Sequence, residues 1–290
     1  MKKIVILIPV YNDWKSVSKL VEEINSKISG VNFIFSIMIL NDGSTEKQSL
    51  YVPNIENLKS IKIINFKENR GHARCIATGL KYIIENEEFD YVIPMDGDGE
   101  DRPVEIINFA QHTNYTPDKV IVGERIKRSE HLFFKFCYGF HKILTFAFTG
   151  QSIKFGNFTC IPKLIVQKLI SEKATWSSFS GSLAKLEKDR STTPSIRGSR
   201  YFGPSKMSFK NLVEHSLSII AVFKINLLVR TILFLALYIF LIYKNITPII
   251  LIPIVLVVIL LILVFFISKR ENLDELNNSQ INISNIDNIK

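Results

Sequence analysis

Cysteine is scarce. The 290 residues contain three, Cys75, Cys137 and Cys160. They are scattered without metal-type spacing, and an odd number leaves one unpaired. A disulfide framework and a zinc cluster are excluded, and a reduced compartment is the simpler reading. Lys/Arg blocks are also missing, as is any repeat of basic and aromatic residues. The net charge of +9 and sequence pI of about 9.3 therefore point to phosphorylated substrates or a phospholipid surface, and not to nucleic acid. No glycine-rich loop of the P-loop or dinucleotide kind is present, which argues against a kinase or a dehydrogenase. The apolar run at residues 4–8 is too short for a signal peptide, lacks a small-residue cleavage site and stops at Pro9 and Asn12. A buried strand is expected there.

What is present gathers at strand ends. The run 89–94 leads directly into Met95-Asp96-Gly97-Asp98-Gly99-Glu100-Asp101. Closely spaced carboxylates after a strand deliver hard oxygen ligands to one sheet edge, which suit Mg²⁺ or Mn²⁺ better than softer metals. An acidic surface turn is the plainer alternative, since Asp and Gly are ordinary turn residues.

The wider pattern favours a site. Residues 4–10 form a near-continuous apolar run, as in a buried parallel strand. Val17, Leu20, Val21, Ile24 and Ile28 then recur at helical spacing. Strands are expected at 33–40, 61–66, 91–95 and 119–123, a helix around Ile76, Leu80, Ile83 and Ile84, and another opened by Pro103 with Asp101 near its cap. This α/β alternation predicts a doubly wound sheet, whose ligands sit beyond the carboxyl ends of the strands. Polar turns fall at those ends: Tyr11-Asn12-Asp13, Asn41-Asp42-Gly43-Ser44-Thr45, Asn69-Arg70-Gly71-His72 and 96–101. Four on one edge describe a nucleotide cleft.

The C-terminal part changes character. Residues 225–243 are apolar except for Asn226 and Arg230, Lys244-Asn245 interrupts, and 246–267 are apolar apart from Thr247. Each run approaches or exceeds the ~20 residues that cross a bilayer, so 224–268 is expected to form a two-helix transmembrane hairpin. Lys206, Lys210 and Lys224 before it, and Lys269 and Arg270 after it, make that side cytoplasmic. Arg230 is expected to snorkel to headgroups. Residues 208–223 carry Leu212, Val213, Leu217, Ile220 and Ala221 in a helical pattern suited to lying along the interface. The tail 269–290, rich in Asn, Ser and Asp, reads as disordered.

Taken in order, Ile8-Pro9-Val10-Tyr11-Asn12-Asp13, Asn41-Asp42-Gly43-Ser44-Thr45, Asn69-Arg70-Gly71-His72-Ala73 with Gly79, and Asp96-Gly97-Asp98 resemble the motifs of family 2 glycosyltransferases with the GT-A fold. The resemblance spans most of residues 1–207. Val122-Gly123-Glu124-Arg125-Ile126-Lys127-Arg128, Phe155-Gly156-Asn157-Phe158 and Arg197-Gly198-Ser199-Arg200-Tyr201-Phe202-Gly203-Pro204-Ser205-Lys206 resemble the polyprenyl-phosphate branch, similar to dolichol-phosphate mannose synthase. Some members of that branch carry a C-terminal membrane hairpin. The resemblance implies a UDP- or GDP-linked sugar donor bound by Pro9, Val10, Tyr11, Asn12, Asp13, Asn41, Asp42, Asn69, Gly71, His72, Asp96 and Gly97. It implies a Mg²⁺ or Mn²⁺ ion held by Asp96, Asp98 and Glu100. Glu100 stands where the branch has Gln, and Asn41 where Asp is more usual. Between Arg128 and Gly150 the branch's acceptor-contacting Arg and Ser have no clear counterpart; Lys135, Tyr138, His141 and Lys142 are the nearest substitutes.

The chemistry expected is inverting transfer to a polyprenyl phosphate of the undecaprenyl kind at the cytoplasmic face of the inner or plasma membrane. A lipid phosphate needs cations to position it and no general base. Arg125, Arg128, Arg197, Arg200, Ser205 and Lys206 are the expected acceptor contacts, with Asp96, Asp98, Arg125 and Arg200 as the catalytic set. A hydroxyl acceptor would need a base, for which Glu187 and Asp189 are candidates. A processive polysaccharide synthase is disfavoured because neither Trp14 nor Trp176 sits in a Gln-x-x-Arg-Trp sequence. A non-catalytic nucleotide-sugar binder is a further alternative, and homo-oligomerisation is left open.

Overall fold

The structure, a computed structural model, describes residues 1–53, 55–127, 139, 143, 145–204 and 208–290. Apolar alternation along the first strand organises it. In β1 (Lys3–Val10), Ile4, Ile6, Ile8 and Val10 enter one buried cluster, while Val5 and Leu7 enter another. Such two-sided burial requires helices on both faces. One face receives α1 (Trp14–Lys27) and α3 (Pro103–His112), through Val17, Leu20, Ile24, Ile106 and Phe109. The other receives α2 (His72–Asn86), α4 (Lys163–Ile170) and α5 (Phe179–Leu186), through Ile76, Leu80, Ile83, Val166, Leu169 and Leu183.

The remaining strands are β2 (Ile34–Asn41), β3 (Ser60–Phe66), β4 (Tyr91–Pro94), β5 (Val120–Lys127), β6 (Thr159–Pro162), β7 (Arg190–Ile196) and β8 (Ile283–Asn288). They form one sheet of order β7-β5-β6-β4-β1-β2-β3-β8. β3, β2, β1 and β4 are mutually parallel. β6 is antiparallel to both β4 and β5, and β7 is parallel to β5. The strands expected from the sequence are present within a residue or two, apart from β5, which runs on to Lys127. β6, β7 and β8 extend the sheet beyond the expected series.

The tail is the main correction. Residues 269–290 are not disordered: Leu273–Asn277 forms α9, Ser279–Asn282 a 3₁₀ turn, and β8 pairs antiparallel with β3, Ile64 opposite Ile286. Its polar composition hid this because an edge strand needs only a narrow apolar stripe. Ile283 and Ile286 supply that stripe against the second cluster, and β3 supplies the ladder. Leu276 is buried with Ala77 and Trp176, and the Trp176 indole donates to Glu275 at 2.7 Å.

Helix α6 (Phe209–Ala221) is capped by Ser208, whose hydroxyl accepts from the Asn211 amide at 3.2 Å. Its last turn buries Ile219, Ile220 and Ala221. Helices α7 (Lys224–Ile242) and α8 (Pro248–Ser268) follow, with mean hydropathies of 2.4 and 3.7 over their most apolar stretches. Both are long and apolar enough to cross a membrane. They meet along Leu227 and Val264, which are buried with Ile220 and Ala221. Arg230 does not simply point outward. Its guanidinium donates to the carbonyl oxygens of Ala147 at 2.9 Å and Phe146 at 3.4 Å, at the end of the helical stretch 145–149.

Candidate active site

Because β1 to β4 are parallel, their carboxyl ends share one edge, and the polar turns meet there. After β1, Asn12 takes a positive φ of 51° and its side-chain oxygen accepts from the Thr45 and Glu46 amides at 2.9 and 3.0 Å. The Asn12 amide donates to Ser44 at 2.9 Å. Asn41 accepts from the Ser44 amide at 3.0 Å and donates to Asn65 at 2.8 Å. The β1 and β2 turns are thus laced into one wall. Asp42 lies behind it, 4% exposed, and accepts from the Arg70 and Gly71 amides at 2.9 and 3.0 Å. Burial raises its pKa, and those two donors oppose the rise. Asn69 donates to the Asp42 carbonyl at 3.0 Å, so Asp42 fixes the turn that precedes α2. Tyr11 stays open at the edge, whereas the Val10 side chain is buried in the core.

The acidic turn after β4 is braced from beneath. The Asp96 amide donates to Asp101 at 3.0 Å. Asp101 was expected only as a neighbour of the α3 cap, but its carboxyl is buried and pushed up to about 8, by burial first and the Asp96 charge second. Gly97 is tightly enclosed, since a Cβ there would sit 3.0 Å from Val17 and 3.1 Å from the Pro9 carbonyl oxygen. The Asp98 carboxylate accepts from the Glu100 amide at 2.9 Å. Burial, then the Asp96 charge, raises it to about 6.

Residues after β7 close over this turn. The Gly198 amide donates to the Glu100 carbonyl at 2.7 Å, and the Tyr201 amide to the Asp98 carbonyl at 2.9 Å. Gly99, at φ 88°, lies so close to the Tyr201 ring that a Cβ would come within 2.5 Å. The Tyr201 hydroxyl donates to Glu23 at 2.6 Å. This pairing swings both expected phosphate-binding arginines onto carboxylates. Arg200 bridges Asp98 and Asp13, at 2.6 Å each, and Arg197 pairs with Glu100. The Arg200 Nε is buried and makes no hydrogen bond among the described residues, so part of its fork remains unused. Arg125 lies beside Gly156, and its charge lowers the Asp101 pKa.

The donor set is all oxygen, and one atom asks for a cation. Asp96 Oδ1 is buried without a hydrogen bond among the described residues, although His72 Nε2 lies 3.5 Å away. Asn157 Nδ2 approaches that same His72 nitrogen at 2.7 Å. Asp96 and Asp98 therefore fit a hard divalent ion. Glu100, expected as a third ligand, is turned to Arg197, and among the described residues no three His, Cys, Asp or Glu side chains converge as a ready cage. Arg128, Ser205 and Lys206, with Lys135, Tyr138, His141 and Lys142, lie outside the described residues. The contacts of Asp101, Tyr201 and Asn157 were not foreseen, though Tyr201 and Asn157 stand inside motifs singled out in the sequence.

Comparison with known proteins fits this geometry. The family model for glycosyl transferase family 2 matches residues 5–166. An undecaprenyl-phosphate 4-deoxy-4-formamido-L-arabinose transferase from Salmonella choleraesuis (strain SC-B67) is 25% identical over 220 residues, 74% of this chain and 65% of the relative. The chain thus matches just under two thirds of that protein's length. Glucosyl-3-phosphoglycerate synthase from Mycobacterium tuberculosis, in complex with Mn²⁺, UDP and glucosyl-3-phosphoglycerate, superposes with a TM-score of 0.53 at 12% identity, covering 78% of this chain and 80% of that one. S. aureus TarS in complex with UDP-GlcNAc gives 0.52 at 14% identity, covering 80% and 70%. The mixed α/β sheet, its likeness to those structures and a family match over more than half the chain converge: this protein belongs to glycosyl transferase family 2 and has the GT-A fold.

Proposed function

We propose that this protein is a membrane-anchored, metal-dependent, inverting glycosyltransferase. It moves a sugar from a UDP- or GDP-linked donor to a polyprenyl phosphate at the cytoplasmic face of the inner or plasma membrane. The observation that carries this reading is that Arg197 and Arg200, which precede the helices α6 to α8 in the chain, sit on the acidic turn through Glu100 and Asp98. The printed name of the Salmonella relative, an undecaprenyl-phosphate transferase, supports an acceptor of that class.

A phosphomonoester is largely ionised at neutral pH, with a second pKa near ~6. One of its oxygens attacks the anomeric carbon opposite the diphosphate. The new C–O bond forms as the bond to the diphosphate breaks, and the electron pair leaves with the nucleoside diphosphate. Configuration inverts, and no proton has to be removed. The arginine forks suit phosphate because each presents paired donors in one plane. Asp96 and Asp98 would hold a divalent cation, whose charge when bound offsets the charge building on the diphosphate.

A hydroxyl acceptor is less well supported. Glu187 and Asp189 precede β7, and Arg197 follows it, so a seven-residue strand of roughly 20 Å separates them from the arginine. Asp189 instead accepts from Lys119 at 2.9 Å. The test is incubation of the purified full chain with a panel of nucleotide sugars and undecaprenyl phosphate, with glycolipid read by mass spectrometry. A product linked through phosphate is expected, and Glu187→Gln and Asp189→Asn should remain active. Transfer only to a hydroxyl, with either carboxylate variant dead, would refute the phosphate acceptor.

A further inference from the structure

Where α7 and α8 join the globular domain, a cavity of about 290 Å³ gathers Lys173, Lys185, Lys188 and Lys224 around Phe223 and Glu271. None of these residues belongs to the donor or acceptor sets. Lys173 comes from the 3₁₀ turn Lys173–Trp176 and Lys185 from α5, while Lys224 opens α7 and Glu271 follows α8. We propose that this cavity binds the headgroup of an anionic phospholipid of the phosphatidylglycerol class, as a site separate from the acceptor. The inference rests on the reading that the hairpin crosses a bilayer, which sets the cavity at headgroup depth.

Charge argues for the anion. Lys224 is matched by Glu271 at 2.7 Å, and Lys185 by Glu172 at 2.8 Å. Lys173 and Lys188 have no ion pair among the described residues. The Glu172 charge also acts on Lys173, so four lysines stand against the two carboxylates Glu172 and Glu271, and an anion in the cavity offsets the surplus positive charge. Basic pockets at the cytoplasmic ends of membrane helices are where anionic headgroups dock. A second feature narrows the class. The Glu271 side chain is 5% exposed, and its Oε1 is buried with no hydrogen bond among the described residues. A buried acceptor needs a donor. A phosphoglycerol headgroup offers phosphate oxygens to the lysines and a hydroxyl to that oxygen, while Phe223 supplies an apolar wall for the start of the acyl chains.

The full chain, purified in non-ionic detergent, should be titrated with phosphatidylglycerol, phosphatidylcholine, inorganic phosphate and undecaprenyl phosphate, and bound molecules counted by native mass spectrometry. Phosphatidylglycerol should be retained, and phosphatidylcholine and inorganic phosphate should not. Each lysine near a lipid surface is worth about fivefold, so Lys173→Gln with Lys188→Gln should weaken retention roughly thirtyfold. Lys173→Arg with Lys188→Arg should restore it, and nucleotide-sugar binding should be unchanged throughout, which controls for folding. Equal retention of phosphatidylcholine, saturation by inorganic phosphate, or indifference to the Gln pair would overturn the proposal. Displacement by undecaprenyl phosphate would also overturn it, by assigning the cavity to the acceptor. An alkaline carbonate wash separates the two levels of the argument. A chain that washes off membranes refutes the hairpin and this site together; one that stays but shows no lipid preference refutes this site alone.

Discussion

Removing Arg200 should separate two effects that one ion-pair bridge now combines. The guanidinium is 14% exposed and spans Asp13 and Asp98. Each charge-assisted hydrogen bond of this kind is typically worth about 1.5–3 kcal/mol. Arg200→Ala leaves both carboxylates without that partner. Asp98 already titrates at about 6 because of burial and Asp96, and Arg200 is among the groups holding it down. Its loss moves Asp98 further up, so more of it is protonated at neutral pH and Mn²⁺-dependent donor binding weakens. In mildly alkaline buffer Asp98 ionises again, and no guanidinium competes for it. Donor binding should then match or exceed that of the unmodified protein. Transfer should behave differently, because the phosphate contact proposed for Arg200 does not return with pH. It should stay roughly ten- to a hundredfold slow at every pH. Calorimetric titration of Mn²⁺ and nucleotide sugar across pH, beside single-turnover transfer to undecaprenyl phosphate, reads both. Full recovery of transfer in alkaline buffer would show that Arg200 acts only through Asp98. Donor binding unchanged at all pH values would show that the bridge has no bearing on the site.

Asp98→Asn should abolish Mg²⁺- or Mn²⁺-dependent donor binding with an unchanged circular dichroism spectrum, and Asp96→Asn should weaken it severely; normal turnover in the Asp98 variant would refute the assignment. In the unmodified protein, metal-dependent donor binding should fall as pH drops through about 6. The folded Asp98 is raised above the usual 3.8, cation binding needs its ionised form, and proton uptake therefore opposes binding below that pH and not above it. Gly99→Ala, at a positive φ and against the Tyr201 ring, should lower stability by about 1–3 kcal/mol, seen as a reduced melting temperature. A cysteine at Asn245, in a background lacking native cysteines, should react with an impermeant thiol reagent added outside intact cells. Labelling only after lysis would refute the hairpin topology.

The centre of the sheet was legible because β1 to β4 are apolar runs closed by polar turns, a local signal. β6 is only four residues long, and β7 carries Ser, Thr and Pro, so neither stands out from its surroundings. β8 was hidden because its partner edge lies far away in sequence. The site divides in the same way. Asp96 and Asp98 could be named from residue type and spacing, and the arginine motif from its resemblance to the polyprenyl-phosphate branch. Their pairing could not, since Arg200 lies 102 residues from Asp98 and 187 from Asp13. Asp101 does lie beside the α3 cap as expected, but a sequence does not reveal that its carboxyl will be enclosed.

The return of β8 to β3 also has a consequence for how the chain is made. The Ser284 hydroxyl reaches the Asn65 carbonyl across 219 positions. At ~5–20 residues per second, roughly ten to forty seconds of synthesis separate the two partners. During that interval β3 is a bare sheet edge on a nascent chain, and both apolar helices leave the ribosome before its cover does. The sheet is therefore completed only after both apolar helices have been made. A chain cut between α8 and β8 would carry every residue of the acidic turn and still leave β3 an unpaired edge, open to pairing with another chain.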